Sequence, residues 1–536
     1  MRSKLVLAIL TAILLVVPLA TGATAQDQKV LSFGMSSDIS SFDPAIAYDV
    51  LSSPIVHSLF DTLVTYDEGT NLVPGIAATM PAISPDGLTY TFDLRPGVSF
   101  VRKGEILRPV TADDVAYSIN RLLRPDLTPT PSPVGPSFFS IIEGADAVLA
   151  GTADAASGIR VVDADTVEFT LTHPDRTFLN LLAMSFGSIV PREVAGLDST
   201  AFAADLVGSG PFYLDSYVPG QGATLRRNPH YWRAGYPLVD EVDLRVNVSP
   251  QNQFLGAQSN QLDLMGDPLA AADRITAESD PSIGDRLVSS TITATSWINM
   301  DTSGPDSPFS DPLVRQAVNY AIDKDNLLRI AGGRGEIIDC IFPPTLPGFD
   351  ADCHPYPHSV ETAKALMAQA GNTGFTTTIY GDDSERSRLS AESIKADLAA
   401  IGITVDIVLN DFGTFLGIVS KPHAAPMALG GWSQDFPDPS DFLDPMFTCS
   451  TAVEGGQNLS AYCDPAVDAR LTAARGVTDI AVAIPEYQAI QRTIMDAAPI
   501  VPVLAPIQDG VISDRVTGFD HYHPVWGWDF ATIGLK

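Results

Sequence analysis

Ser390-Ala-Glu-Ser-Ile-Lys-Ala-Asp-Leu-Ala-Ala-Ile401, then Gly402, then Ile403-Thr-Val-Asp-Ile-Val-Leu409, is the stretch that fixes the class of the fold. The first part carries apolar residues at helical spacing and predicts a helix over 390–401, which Gly402 can end in a left-handed conformation. Ile403, Val405, Ile407 and Leu409 then alternate, so a strand begins at once. Helix, glycine, strand is the rhythm of an α/β protein. Neighbouring segments repeat it. Tyr90, Phe92 and Leu94 share one face of a predicted strand, as do Val167, Phe169 and Leu171, and Val242, Leu244, Val246 and Val248. Thr111-Ala-Asp-Asp114 sets a hydroxyl three residues before an acid, a capping box for a helix carrying Val115, Ile119 and Leu122. Asp311 followed by Pro312 predicts another helix start, with Val314, Ala317, Val318, Ala321 and Ile322 as its apolar stripe. A further helix is expected over 359–370, and the proline-rich residues 125–136 predict an irregular surface loop.

The N-terminus supplies an address. Arg2 and Lys4 precede an apolar run over 5–17, Pro18 and Gly22 break it, and Ala23-Thr-Ala25 offers small residues to a signal peptidase. This pattern predicts a secretory signal peptide over residues 1–25. The run falls short of the roughly 20 residues of a spanning helix, so no stable membrane insertion is expected. No cysteine lies near the cleavage region to carry a lipid. The expectation is a periplasmic protein, or an extracellular one if the host lacks an outer membrane.

The remainder is long enough for two or three domains at about 100–200 residues each. A formal net charge of −32 argues against nucleic acid and anionic membrane as partners. Such acidity is read first as the mark of an acid-rich proteome, and only second as steering of a cationic ligand. The four cysteines fall into two local pairs, Cys340 with Cys353 and Cys449 with Cys463. In an exported chain these predict two disulfides, each constraining the unfolded chain by roughly 3 kcal/mol. Zinc is the competing reading, because His354 and His358 follow Cys353, but neither pair has C-x2-4-C spacing. No metal is assigned.

A search for catalysis finds no G-x-S-x-G elbow, no H-E-x-x-H and no phosphate-binding G-x-x-x-x-G-K-[ST] loop. Gly332-Gly-Arg-Gly335 follows a helix and predicts a C-cap and turn. His521 and His523 read as solvated. No catalytic residue, no cofactor and no enzyme activity is therefore expected. One loop stands apart, Gly430-Gly-Trp-Ser-Gln-Asp-Phe-Pro-Asp-Pro-Ser-Asp-Phe-Leu443. Its glycines allow close backbone approach, Trp432 offers a flat apolar face, and Asp435 sits in a segment stiffened by Pro437 and Pro439. The loop could present backbone donors, an aromatic wall and one charge to a ligand; the alternative is a structural turn with Trp432 in the core.

At this loop the chain resembles extracellular solute-binding protein family 5, the oligopeptide-, dipeptide- and nickel-binding receptors of ABC importers. The resemblance runs collinearly through Ser41-Phe-Asp-Pro44, Leu59-Phe-Asp-Thr-Leu63, Pro74-Gly-Ile-Ala77, Ser84-Pro-Asp-Gly-Leu-Thr-Tyr-Thr-Phe-Asp-Leu-Arg-Pro-Gly97, Gly208-Ser-Gly-Pro-Phe212, Arg227-Asn-Pro-His-Tyr-Trp232 and Val314-Arg-Gln-Ala-Val-Asn-Tyr-Ala-Ile-Asp323. It implies a periplasmic-binding-protein type II-like α/β fold, with two lobes joined by a hinge. Lobe I would be 26–49, 190–291 and 505–536, an inserted domain 50–189, and lobe II 292–504. It also implies a monomer that hands a small solute, foremost a peptide, to importer permease subunits.

Carried over residue by residue, the resemblance makes Asp435 the partner of a peptide's amino terminus, a role suited to a carboxylate in a closed cleft. Gly431, Trp432 and Ser433 match the strand that hydrogen-bonds an extended ligand. Tyr48, Asp49 and Val50 match the opposite wall, and Phe412 stands where some members place tryptophan. No counterpart of a basic residue for the ligand's carboxyl end is found. A non-peptide cargo such as an oligosaccharide, metal chelate or opine is the alternative; an uncharged one would make Trp432 and Trp297 stacking platforms. A secreted hydrolase is the remote reading, since it needs a nucleophile–base pair that is not found.

Overall fold

The computed structural model describes residues 28–304 and 306–536, so the expected signal peptide lies outside the described residues. Three sheets organise them. The first is mixed: Val30–Gly34 runs parallel to Glu241–Arg245 and to Leu264–Met265, and the hairpin Phe212–Val218 with Gly222–Arg227 extends it antiparallel. The predicted Val242 and Leu244 face its core. A smaller antiparallel sheet joins Ala82–Ile83, Thr89–Asp93, Thr166–Thr170 and Ile159–Val161. Its alternation works as expected: Tyr90, Phe92, Val167 and Phe169 are buried together. The third sheet has six strands in the order Glu336–Ile337, Ile500–Ala505, Ala294–Met300, Met427–Ser433, Phe375–Asp382, Ile403–Asn410.

The segment that opened the reading lies at the edge of this last sheet. Gly402 takes a φ of 89° and the strand Ile403–Asn410 follows it, parallel to Phe375–Asp382. The helix before it is Glu385–Ala399, which begins earlier than predicted because the Ser384 hydroxyl accepts the Ser387 N–H at 3.2 Å. The capping box at Thr111 and Asp114 forms and starts the helix Ala112–Leu123. Residues 125–136 are not wholly an irregular surface loop. Ser132 and Val134 are buried, and a π-helical turn, Gly135–Phe139, follows. There the chain presses on the helix so closely that a Cβ on Gly135 would lie 1.8 Å from the Leu122 carbonyl oxygen.

The chain passes from the first sheet to the six-stranded one through Leu287–Thr291 and returns through Ile507–Val511. These two segments pair antiparallel along their length. Both cysteine pairs are joined, Cys340 to Cys353 and Cys449 to Cys463. No helix among the described residues is long and apolar enough to cross a membrane.

One buried ion pair positions the residues discussed below. Arg121, on the helix Ala112–Leu123, grips Asp43 with two hydrogen bonds of 2.7 and 2.5 Å, and its Nε donates to the Gly196 carbonyl at 2.7 Å. Both side chains are essentially inaccessible, at 2% and 0% exposure. The pair ties the segment leading to Tyr48 onto the inserted residues. Removing one partner strands the other charge in the interior, which costs about 3–5 kcal/mol. Asp43→Ala should therefore lower stability by about that amount, measured as a fall in the midpoint of urea unfolding followed by circular dichroism.

Candidate functional site

The strand Met427–Ser433 supplies the frame of the site. It pairs antiparallel with Ala294–Met300 over its whole length, but meets Phe375–Asp382 only at Met427 and Ala428. From 429 to 433 no described strand covers its other edge. Those residues present peptide groups to the space between the sheets. The two glycines serve the opposite side. A Cβ on Gly431 would lie 2.3 Å from the Thr295 carbonyl oxygen, and one on Gly430 would lie 2.5 Å from Nδ2 of Asn299. The close approach that the sequence suggested is therefore to the neighbouring strand.

Beyond the strand, residues 434–438 cross to the other lobe. Gln434 donates to the Pro524 carbonyl at 2.5 Å. Phe436 is buried in the apolar core of the inserted residues, in one cluster with Trp526. The Tyr48 hydroxyl donates to Oδ2 of Asp435 at 2.6 Å. Asp438 caps the helix Pro439–Phe447 and pairs with Arg176 at 2.7 Å, both side chains below a tenth exposed. Arg176 also donates to the Ala474 carbonyl at 2.5 Å and the Tyr487 hydroxyl at 2.9 Å.

Among the described residues no cation pairs with Asp435. Its own N–H donates to Oδ2 of Asp441 at 2.9 Å, and the Trp432 indole donates to the same oxygen at 3.2 Å. Asp435 is half-buried with protein close around its carboxyl, and this desolvation pushes the carboxyl up to about 7 despite the Tyr48 bond. Asp441 is raised well above the carboxylate range, first by burial and then by the adjacent Asp435. Burial and the negative charge of Asp435 raise the Tyr48 hydroxyl, which stays a donor.

Two cavities flank the free edge and share Gln457 as a wall. One, of about 920 Å³, lies between the inserted residues and the second lobe and is lined by Tyr48, Trp432 and Asp441. The other, of about 430 Å³, is lined by Gly430, Gly431, Trp297, Phe412 and Arg386. Arg386 was missed in the sequence. It has no ion pair or hydrogen bond among the described residues, and desolvation by the cavity walls, then repulsion from Arg334, weakens its hold on its proton. A further cavity, about 1010 Å³, lies elsewhere, between the first lobe and the inserted residues. It includes nothing from the strand Met427–Ser433, so it is not this site.

The remaining predicted residues are distributed unevenly. Asp49 is engaged locally, accepting the Leu51 and Ser52 N–H groups and the Ser40 hydroxyl. Val50 is 66% exposed beside it. Phe412 is 62% exposed at the start of the helix Phe412–Val419. Trp297 is 3% exposed, packed near Phe447, with little face left for stacking. Ser433 is exposed at the end of the free edge. His523 is not a solvated residue as the sequence suggested. Its Nε2 lies 2.7 Å from the Asp67 carbonyl and its Nδ1 accepts the Val525 and Trp526 N–H groups, so it organises the loop.

Comparison with known proteins identifies the fold and the family. The family model for bacterial extracellular solute-binding proteins, family 5 Middle, matches residues 71–454. Di/tripeptide-binding protein 2 of Pseudomonas aeruginosa is 30% identical over 97% of this chain and 98% of its own. The dipeptide-binding protein of Escherichia coli is 30% identical over 89% of this chain and 90% of its own. A solved structure of the Helicobacter pylori periplasmic binding protein DppA, in complex with the peptide STSA, superposes with a TM-score of 0.82 at 28% identity. It covers 95% of this chain and 98% of that one. With two α/β lobes of the type II periplasmic-binding-protein kind and matches along nearly its whole length, the chain belongs to the bacterial extracellular solute-binding proteins, family 5.

Proposed function

We propose that this protein is the exported, non-catalytic receptor of an ATP-driven importer and that it captures short peptides, which it delivers to the permease. In this reading residues 26–49, 190–291 and 505–536 form lobe I, 50–189 the inserted domain and 292–504 lobe II. The lobes close about the paired strands Leu287–Thr291 and Ile507–Val511. The observation that carries the reading is the free sheet edge over 429–433, with Asp435, which pairs with no cation among the described residues, just beyond it and Arg386, which makes no ion pair there, in the adjoining cavity. An extended peptide is a strand with an ammonium at one end and a carboxylate at the other. Its backbone would add to the edge at Gly431, Trp432 and Ser433. Its ammonium would pair with Asp435 and its carboxylate with Arg386. Tyr48 faces it from lobe I, with Asp49 and Val50 next to it in the chain but lining neither cavity, and Phe412 and Trp297 bound the smaller cavity.

Calorimetry with di-, tri- and tetra-alanine tests this directly. At least one should bind, and N-acetylation should weaken it by the worth of a charged hydrogen bond, about 1.5–3 kcal/mol or roughly 10- to 150-fold. Asp435→Ala should lose a similar amount for the free peptide and little further for the acetylated one. Equal affinity for free and acetylated peptides would overturn the assignment of Asp435.

The same carboxyls make closure depend on pH. In an open cleft Asp435 would titrate near its usual value of about 4, whereas in the closed one it is pushed up to about 7. Closure thus favours the protonated form. Its contribution to the closed, ligand-free state is complete below about pH 4 and is lost as pH rises through about 7. Asp441 acts in the same direction. Small-angle scattering of the ligand-free protein should therefore give a smaller radius of gyration at pH 5 than at pH 8. Asp435→Asn should reduce that difference.

A further inference from the structure

The cavity of about 920 Å³ beside Asp435 has an unbalanced wall. Asp175, Asp441, Asp444, Glu454 and Asp468 line it, against one arginine, Arg475. Arg475 is already engaged, pairing with Asp444 at 2.7 Å and standing 3.7 Å from Asp175. Asp441 is the informative member because it is only 1% exposed. Its Oδ2 accepts the Asp435 and Trp432 N–H groups, but Oδ1 is buried without a partner. Oδ1 of Asp444, on the same wall, is also buried and unpartnered. Leaving buried carboxylate oxygens unmatched is costly, and folded proteins rarely do so without a reason. Phe138, Leu181 and Phe436 supply an apolar stretch of the same cavity. A long side chain with a methylene stem and a charged tip fits such a combination.

We propose that this cavity selects ligands bearing a cationic side chain of the lysine or arginine type, with Asp441 as the specificity-determining carboxylate. The inference rests on the peptide reading above and extends it from the ligand's termini to its side chain. In the ligand-free protein a proton neutralises Asp441, whose carboxyl is raised well above its usual range. In the complex the ligand's ammonium or guanidinium takes over that task and gives Oδ1 a donor. The neutral site then becomes an ion pair shielded from water, where a charge-assisted hydrogen bond is strongest.

Calorimetry at pH 7.5 with two matched pairs of tripeptides tests it: Lys-Ala-Ala against norleucine-Ala-Ala, and Ala-Lys-Ala against Ala-norleucine-Ala. Norleucine keeps the stem and removes the charge. The wild-type protein should favour lysine by about tenfold or more at one of the two positions. In Asp441→Asn that ratio, measured between two ligands on the same protein, should fall to near one. A merely structural role would weaken both ligands and leave the ratio intact. Wild-type protein that binds norleucine peptides as well as lysine peptides at both positions overturns this inference and leaves the peptide reading standing. Failure of all four peptides, together with the alanine series, overturns the peptide reading and this inference with it. The wild-type ratio alone decides the matter if the variant does not fold.

Discussion

A negative charge held in the interlobe boundary without a cation is the constraint around which this molecule is arranged. Four aspartates, Asp435, Asp438, Asp441 and Asp444, follow one another at intervals of three residues through one loop and helix. Two are neutralised by the protein itself: Asp438 by Arg176 and Asp444 by Arg475. The other two have only hydroxyl and N–H donors, from Tyr48, Trp432 and the backbone. Burying an ionised carboxylate costs several kcal/mol even after relaxation, and neutral donors recover only part of that. The protein therefore either protonates these groups or waits for a cation from outside. The neutralised pair does structural work; the unneutralised pair is what the peptide reading proposed above assigns to a ligand.

The free sheet edge has an equally physical origin. Phe375–Asp382 runs beside Met427–Ser433 for two residues and then diverges, while Ala294–Met300 stays paired to the end. Along that pairing a side chain would meet the Thr295 carbonyl at Gly431 and the Asn299 side-chain amide at Gly430, so both positions favour glycine. An unpaired edge on a protein surface invites aggregation. Here it borders two cavities, through Gly430 and Gly431 on one side and Trp432 on the other. The same geometry that makes the edge usable also protects it.

The sequence was legible wherever a local rule had a local cause. Alternation placed Tyr90, Phe92, Val167 and Phe169 in one core, and the capping box at Thr111 was realised atom for atom. The loop over 430–443 stood out by its two glycines, its tryptophan and its prolines, and the structure brings it to the free edge and the two cavities. Arg386 was not legible. It lies in Ser384-Glu-Arg-Ser-Arg388, a polar stretch ahead of the helix predicted over 390–401, and only the fold brings it to the cavity beside the strand Met427–Ser433. Asp441 was hidden for a related reason. In sequence it is one acid among many, and only burial distinguishes it. His523 failed the other way: its imidazole looked free for solvent, but a loop closes around it.

Closure and charge are coupled through a single short segment. Within residues 434–438, Gln434 reaches Pro524, Asp435 meets Tyr48, Phe436 enters the opposing core and Asp438 pairs with Arg176. These contacts form only when the lobes are together, and they also carry Asp435 into its dry position. An ionised, unmatched Asp435 therefore opposes the docking of the very loop that the apolar and ion-pair contacts favour. A ligand can shift such an equilibrium only by its differential affinity for the two states. An ammonium at Asp435 has that property, because its pairing is worth most when water has been excluded. Signal and latch need no connecting pathway, since they occupy the same five residues of backbone.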